Sequence, residues 1–381
     1  MSIKGNILGY TAKVFTKIYA YNHPIEKQIL FSSFEGTHYS DNPRAISETM
    51  HELYPDYKLV WFLENDDEVK SVPDYITITR SGIEFFKYLA TSICFVNNFQ
   101  FKRKIYKRRN QLFIQTWHAD RIFKKVLLDA EPFLPMVEKR VTDLCIAGSV
   151  FGIKQYHSAF NYSGKIMCAG TPRNDKLLKL TEDDKIKLKK IFNVEQNCNI
   201  LLYAPTFREY SNKYPRIQVN IKKVLDILNE KNERWICFLR SHPGIGHEKL
   251  GFHCDNINFF DMSSYPDMRD LLCVADMLIT DYSSCAFDLA VIERKVILAI
   301  FDLNYYTSIE RSLAVDPHET GFLIAWNQSE LEDLIRNTTD KEYMDNNKKI
   351  REFFDIKETG ESSEKICNYI NGFYLKQFSK S

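Results

Sequence analysis

Short runs of branched and aromatic residues alternate along the whole chain with longer amphipathic stretches, and this rhythm constrains the fold more than any other feature. A parallel strand is buried on both faces and reads as a near-continuous apolar run, while intervals of helical period supply the covering helices. The chain is therefore expected to be α/β. The runs predict strands at 28–32, 58–63, 76–79, 93–97, 112–116, 144–147, 165–169, 199–203, 235–239, 257–260, 277–280 and 296–299. Helices fill the intervals, notably at 42–53, 82–91, 221–229, 266–274 and 286–292.

At 381 residues the chain is long for one core, and domains of roughly 100 to 200 residues point to two. The stretch 176–197 is highly charged and carries no strand signal, which places a helix plus linker, and the domain boundary, there. The two halves are alike in kind, so the expected architecture is two Rossmann-like doubly wound domains facing across a cleft. The division is an amphipathic helix at 1–22, a first α/β domain at 23–185, a second at 186–365 and a helical tail at 366–381. An amphipathic face over 362–378 is suited to packing back across the cleft.

With 51 basic and 50 acidic residues there is no global field to draw nucleic acid, so anion binding must be local. The nine cysteines include no CxxC pair and lie in apolar segments, as buried thiols of a reducing compartment do. No run approaches a spanning helix and no secretory leader is visible, so a cytoplasmic protein is expected. Within 1–21, Ile3, Ile7, Leu8, Tyr10, Val14, Phe15, Ile18 and Tyr19 recur at mostly helical spacing among Lys4, Lys13 and Lys17. Such a helix either lies in a membrane interface or packs on its own domain, and the residues leave both readings open. A second basic cluster, Lys102, Arg103, Lys104, Lys107, Arg108 and Arg109, reads first as a solvated face.

In open α/β sheets ligands bind beyond the carboxyl ends of the strands. Four strand ends here carry chemistry. After 112–116 come Trp117, His118, Ala119 and Asp120; after 199–203 come Pro205, Thr206, Phe207 and Arg208. After 235–239 come Arg240, Ser241, His242 and Pro243, and after 277–280 come Asp281, Tyr282, Ser283 and Ser284, the last two opening a helix. Hydroxyls at a helix start suit a phosphate, although Ser also heads helices as a plain N-cap. Two imidazoles and two guanidiniums complete a set suited to a pyrophosphate and to proton transfer. His242, His247 and His253 fit no zinc spacing. A Walker loop, a GxGxxG opening the first domain and a GxSxG elbow are all absent, which removes P-loop, dinucleotide-oxidoreductase and common hydrolase readings.

Six segments, ILFSSFEGTHYSDNPRAI (29–46), QTWHAD (115–120), AGTPRND (169–175), YAPTFRE (203–209), RSHP (240–243) and TDYSS (280–284), closely resemble the CDP-glycerol glycerophosphotransferases of teichoic acid synthesis. The resemblance runs from about residue 28 to about 330. It implies a GT-B-like fold and transfer of a polyol phosphate from a CDP-activated donor to a hydroxyl of a lipid-linked polymer, with release of CMP. By similarity His118 is the general base on the acceptor, His242 the second histidine at the donor phosphates, and Ser283 and Ser284 hold the donor pyrophosphate. Thr206, Arg208, Arg240 and Asp281 join the donor side, with Asp288 toward the ribose, and Thr116, Asp120 and Arg173 belong to the acceptor side. An imidazole whose pKa is near 6.5 can take a proton at neutral pH. No structural metal is expected, and a divalent ion such as Mg²⁺ accompanying the donor pyrophosphate stays open. The resemblance also implies attachment to the inner membrane face.

Two departures stand out. The family's Trp-His-Gly is here Trp117, His118, Ala119, which crowds the turn if glycine serves a positive φ. After Val296, the residues Phe301, Asp302, Leu303, Tyr305 and Tyr306 keep the family's acidic and Arg-Gly-Phe-Tyr pattern only loosely. Two rival readings use the same segments, a GT-B nucleotide-sugar glycosyltransferase of capsule synthesis and a catalytically silent polymer-binding protein.

Overall fold

The structure, a computed structural model of the 381-residue chain, describes residues 3–100, 105–130, 141–206, 208, 219–230, 233–241 and 258–378. The described residues fall into two compact units. The first comprises Met1–Asp120, Phe133–Asp175 and Lys357–Ser381; the second comprises Arg121–Pro132 and Lys176–Ile356.

In the first unit β1 (Glu26–Ser32), β2 (Lys58–Phe62), β3 (Ile76–Thr79), β4 (Ser92–Asn97), β5 (Leu112–Gln115), β6 (Leu144–Ala147) and β7 (Lys165–Cys168) form one sheet. Its order is β3-β2-β1-β4-β5-β6-β7 and every pairing is parallel, with Ile29 opposite both Leu59 and Cys94. Alternate residues of one strand point to opposite faces. Ile29, Phe31, Trp61 and Ile114 therefore join one core cluster with Ile46 and Met50 of the helix Asp41–Leu53. Leu30, Val60, Phe62, Phe95 and Phe113 form another cluster with Phe85 and Leu89 of the helix Ile83–Thr91.

The second unit carries β8 (Cys198–Ala204), β9 (Arg234–Leu239), β10 (Phe259–Asp261), β11 (Met277–Thr280), β12 (Lys295–Ala299) and β13 (Leu323–Ala325), ordered β10-β9-β8-β11-β12-β13 and again wholly parallel. Both sheets thus run outward in two directions from their first strand, the doubly wound order. Each has a topological switch point, between β1 and β4 and between β8 and β11, where the strand ends open a crevice. The strands foreseen from sequence are all present, and β13 is additional.

Two segments leave the linear division expected from sequence. The helix Ser362–Phe378 lies in the first unit, because Asp175 accepts from the Ser362 and Ser363 amides at 3.0 and 2.6 Å and Ile366, Cys367 and Ile370 enter the core beside Trp61. Residues 121–130 lie in the second unit, where Phe123 stacks among Phe287 and Phe322. The chain passes between the units at Asp175, ahead of the charged helix Glu182–Ile191, which a Thr181/Asp184 capping box starts. The described cysteines are all buried except Cys168.

Candidate active site

In the first unit His118 follows β5. The turn that carries it is backbone-strained at Trp117, whose φ is 51°, a conformation rare for a bulky side chain. Hydrogen bonds from distant residues and from its own strand hold it there. The Trp117 amide donates to Gln115 Oε1 at 2.9 Å, Asn42 Nδ2 donates to the Trp117 carbonyl at 2.8 Å, and Arg173 Nη1 donates to the His118 carbonyl at 2.7 Å. Ala119 is buried and has a negative φ, so the left-handed position of this turn falls on Trp117 and the methyl group meets no backbone penalty.

His118 Nδ1 lies 3.1 Å from the carbonyl oxygen of Asn98, in the loop after β4. A carbonyl only accepts, so Nδ1 carries the hydrogen and the lone pair sits on Nε2. Phe99 and Phe34, from the loops after β4 and β1, pack on the ring with centroids 5.4 and 5.3 Å away. The imidazole is thus fixed in tautomer and orientation at the switch point of the sheet while staying half-buried.

The residues expected on the acceptor side build this support. Thr116 is buried and its hydroxyl donates to the Trp117 carbonyl at 3.1 Å. Arg173 also faces the Asp41 carboxylate at 3.4 Å, and its amide donates to Asn42 Oδ1 at 3.1 Å. Asp120 accepts from the Gly148 amide at 2.7 Å and the Ser149 hydroxyl at 2.6 Å, while Ser149 caps the Gly152 amide at the start of the helix Val150–Ser158. A Cβ on Gly152 would stand 1.9 Å from Asp120 Oδ1, so that position needs glycine for close approach.

In the second unit the ends of β8, β11 and β12 are tied by one buried ion network. Arg208, 3 % exposed, donates from Nη2 to Asp281 at 2.9 Å, from Nε to Asp302 at 2.9 Å and from Nη1 to the Thr206 carbonyl at 2.9 Å. Tyr282 and Tyr306 stack at 3.8 Å, and the guanidinium lies 5.2 and 4.5 Å from their rings. Burial works against its charge, but the two carboxylates outweigh burial and hold Arg208 above its ordinary pKa. Burial likewise pushes the Tyr282 and Tyr306 phenols up. The Thr206 amide donates to Asp281 Oδ1 at 2.8 Å, while its hydroxyl is buried with no hydrogen-bond partner among the described residues.

Ser283 and Ser284 stand half-buried before the helix Cys285–Val291. Ser284 has φ −67° and ψ −16° and makes no side-chain cap, so capping does not explain its hydroxyl. The Cys285 thiol, pushed up to about 11 by burial, donates to Ser283 Oγ at 3.2 Å. Asp288 is buried on the same helix, 3.7 Å from Arg121 Nη2. Arg240 donates to the Met262 carbonyl at 3.0 Å and to the Ser263 carbonyl. His242, His247, His253, Phe207 and the Lys102–Lys104 part of the basic cluster lie outside the described residues. Among the described residues no cluster of three or more His, Cys, Asp or Glu is placed to hold a metal ion.

Sequence reasoning passed over Asn42 and Asn98, and met Asp302 only as part of a loosely kept family pattern, without a role. Asp302 follows β12, and reading that strand end by the rule applied to the other four would have found it. Asn42 and Asn98 act through backbone-directed bonds that no local pattern announces.

Two doubly wound parallel sheets in one chain, each with polar groups gathered at its switch point, define a GT-B-like α/β enzyme. Comparison with known proteins narrows the class. The chain belongs to the CDP-glycerol:poly(glycerophosphate) glycerophosphotransferase family, which it matches over residues 16–372, and it is an enzyme of that type. It is 29 % identical to the teichoic acid poly(glycerol phosphate) polymerase of Bacillus spizizenii over 91 % of this chain and 92 % of that one. It is 27 % identical to the teichoic acid glycerol-phosphate transferase of Staphylococcus aureus, over 94 % and 95 % of the two chains. A solved structure of the wall teichoic acid polymerase TagF superposes with a TM-score of 0.80 at 25 % identity, covering 98 % of this chain and 96 % of that one.

Proposed function

We propose that the protein transfers glycerol phosphate from CDP-glycerol to a hydroxyl of a lipid-linked teichoic acid polymer at the inner face of the membrane and releases CMP. The donor follows from the family and the acceptor from the relatives' own activities. The observation that supports the chemistry is the His118 ring, held by Nδ1–H on the Asn98 carbonyl with Nε2 as the acceptor of a proton.

In this reading the acceptor hydroxyl gives its proton to His118 Nε2 as its oxygen attacks the glycerol-bearing phosphorus. The bond from that phosphorus to the bridging oxygen breaks, and CMP leaves with the electron pair. Phosphoryl transfer is mostly positioning and charge stabilisation. Ser283, Ser284 and the Thr206 hydroxyl are assigned to the donor phosphates, and His242 joins them by its place in the Arg-Ser-His-Pro segment. Arg173, Asp120 and Thr116 are positioning residues for the His118 turn. Arg208 and Asp281 fix the loop that presents the hydroxyls.

The membrane part of the proposal rests on the helix Ile3–Asn22, which packs on Ile83–Thr91. Its buried side includes Thr16 and Ala20. Tyr10, Val14, Ile18 and Tyr21, at helical spacing on another face, are each more than half exposed, and Lys13 and Lys17 are exposed beside them. An outward apolar stripe flanked by lysines suits an anionic lipid surface. Among the described residues no helix is long and apolar enough to cross a membrane.

The test is CMP release from CDP-glycerol, CDP-ribitol and nucleotide sugars, with and without a lipid-linked glycerol phosphate acceptor, in wild type and His118→Ala. Acceptor-dependent CMP from CDP-glycerol that vanishes in the variant is expected. Release of a sugar nucleotide's carrier instead would overturn the reading in favour of a glycosyltransferase, and no turnover with any donor would favour a binding protein.

A further inference from the structure

The segment that begins directly after the His118 turn enters the second unit and pairs there with the loop after β12. Lys124 bridges Leu313 in antiparallel register, the Lys125 amide donates to the Ser312 carbonyl at 2.9 Å, and the Ala314 amide donates to the Phe123 carbonyl at 2.7 Å. The strap is anchored ahead of Lys124. Phe123 is fully buried with its ring 4.8 Å from that of Phe287, and Arg121 faces Asp288. Both partners belong to the helix Cys285–Val291, which Ser283 and Ser284 precede. Lys124 is therefore held beside the strand end to which the donor phosphates are assigned.

The charges acting on Lys124 are one carboxylate, Asp281, and two guanidiniums, Arg208 and Arg311. Asp281 is already engaged by the Thr206 and Tyr282 amides and by Arg208. Among the described residues the Lys124 ammonium makes no hydrogen bond or ion pair. An ammonium half-withdrawn from water and set among other cations is a liability to the folded chain unless an anion arrives. Burial accordingly pushes Lys124 down to about 8, against the pull of Asp281. Arg208 cannot supply that charge to a ligand, because four of its donors are spent inside the protein.

We propose that Lys124 is the cation that takes a non-bridging phosphate oxygen of the CDP-activated donor, carried to the second unit by the strap that leaves the His118 turn. The inference rests on the donor assignment above and names the charge that Arg208 does not provide. It also explains why the His118 segment continues into the other unit: one stretch of chain then carries both the proposed base and a donor contact.

CDP binding to the full chain, measured by calorimetry on wild type, Lys124→Met and Lys124→Arg together with thermal melting, tests it. A hydrogen bond to a charged group contributes about 1.5 to 3 kcal/mol, so Lys124→Met is expected to weaken CDP about ten- to hundredfold. Lys124→Arg is expected to restore most of the affinity, and Lys124→Met to melt no lower than wild type because it removes a half-buried charge set among other cations. Undiminished CDP affinity in Lys124→Met would overturn the proposal. So would equal weakening by Met and Arg with a lower melting temperature, since that marks a structural lysine. If wild type itself binds no CDP, the donor assignment falls first and this inference with it.

Discussion

The two switch points solve opposite problems with similar residues. At His118 the charged side chains stand behind the turn, Arg173 facing Asp41 and donating to the His118 carbonyl, so the group presented is an imidazole among aromatics. At β8 and β11 the charges sit inside the loop ends themselves, where Arg208 is clamped between Asp281 and Asp302, and the groups presented are hydroxyls. The proposed base must change protonation without moving, which favours a support made of carbonyls and rings. The proposed phosphate cradle must keep its shape as charge arrives and leaves, which favours a saturated ion network that does not itself respond.

The sharpest way to break this contrast is His118→Ala. Loss of general-base catalysis lowers turnover about 10²- to 10⁴-fold, and steady-state CMP release should show it with an unchanged melting temperature. If melting falls instead, His118 is part of the scaffold. The converse experiment is Arg208→Met, which strands the buried Asp281 and the largely covered Asp302 carboxylates and should cost about 3–5 kcal/mol in urea unfolding. Arg173→Met should cost less, about 1–3 kcal/mol, yet lower turnover by loosening the His118 carbonyl. Equal stability losses for the two arginines would erase the distinction.

Smaller effects sharpen it. Replacing Val14 and Ile18 by Asp should weaken binding to anionic vesicles by about tenfold or more, since each buried methylene contributes about 0.8 kcal/mol; flotation assays measure this, and intact binding would assign the stripe elsewhere. Lys124 gives a pH signature. Its folded pKa is about 8, below its ordinary value, so the unfolded chain binds more protons between the two. Its penalty is therefore full below about pH 8 and relieved as pH rises toward the ordinary lysine value. Wild type should gain stability relative to Lys124→Met across that window, as paired unfolding curves can show. Smallest of all, Ser284→Ala should raise the KM for CDP-glycerol about two- to tenfold without changing stability, because its hydroxyl caps nothing.

Much of this molecule was legible in sequence because a parallel strand buried on both faces leaves an uninterrupted apolar run. β13 escaped because it has only three residues, Leu323–Ala325, at the edge of its sheet. The strand-end rule located both switch points and the turn that holds His118. What the charges there bond to could not be read from it: Arg208 bonds Asp281 and Asp302, and Arg240 Nη1 donates to the Met262 carbonyl. Local sequence shows that a guanidinium is near a strand end and says nothing of which way it is satisfied.

The sequence by itself determined the α/β class, every strand but β13, the position of His118 and the hydroxyl pair Ser283 and Ser284, because hydrophobic period and strand-to-helix handover are local properties. Only the tertiary structure decided that Trp117 takes the left-handed turn position, that Asn98 sets the His118 tautomer, and that residues 121–130 and 362–378 pack in units other than those their place in the chain suggests. Those outcomes depend on partners distant in sequence, Asn42, Arg173, Leu313 and Asp175 among them, and the burial and hydrogen bonds that select them exist only once the sheets have formed.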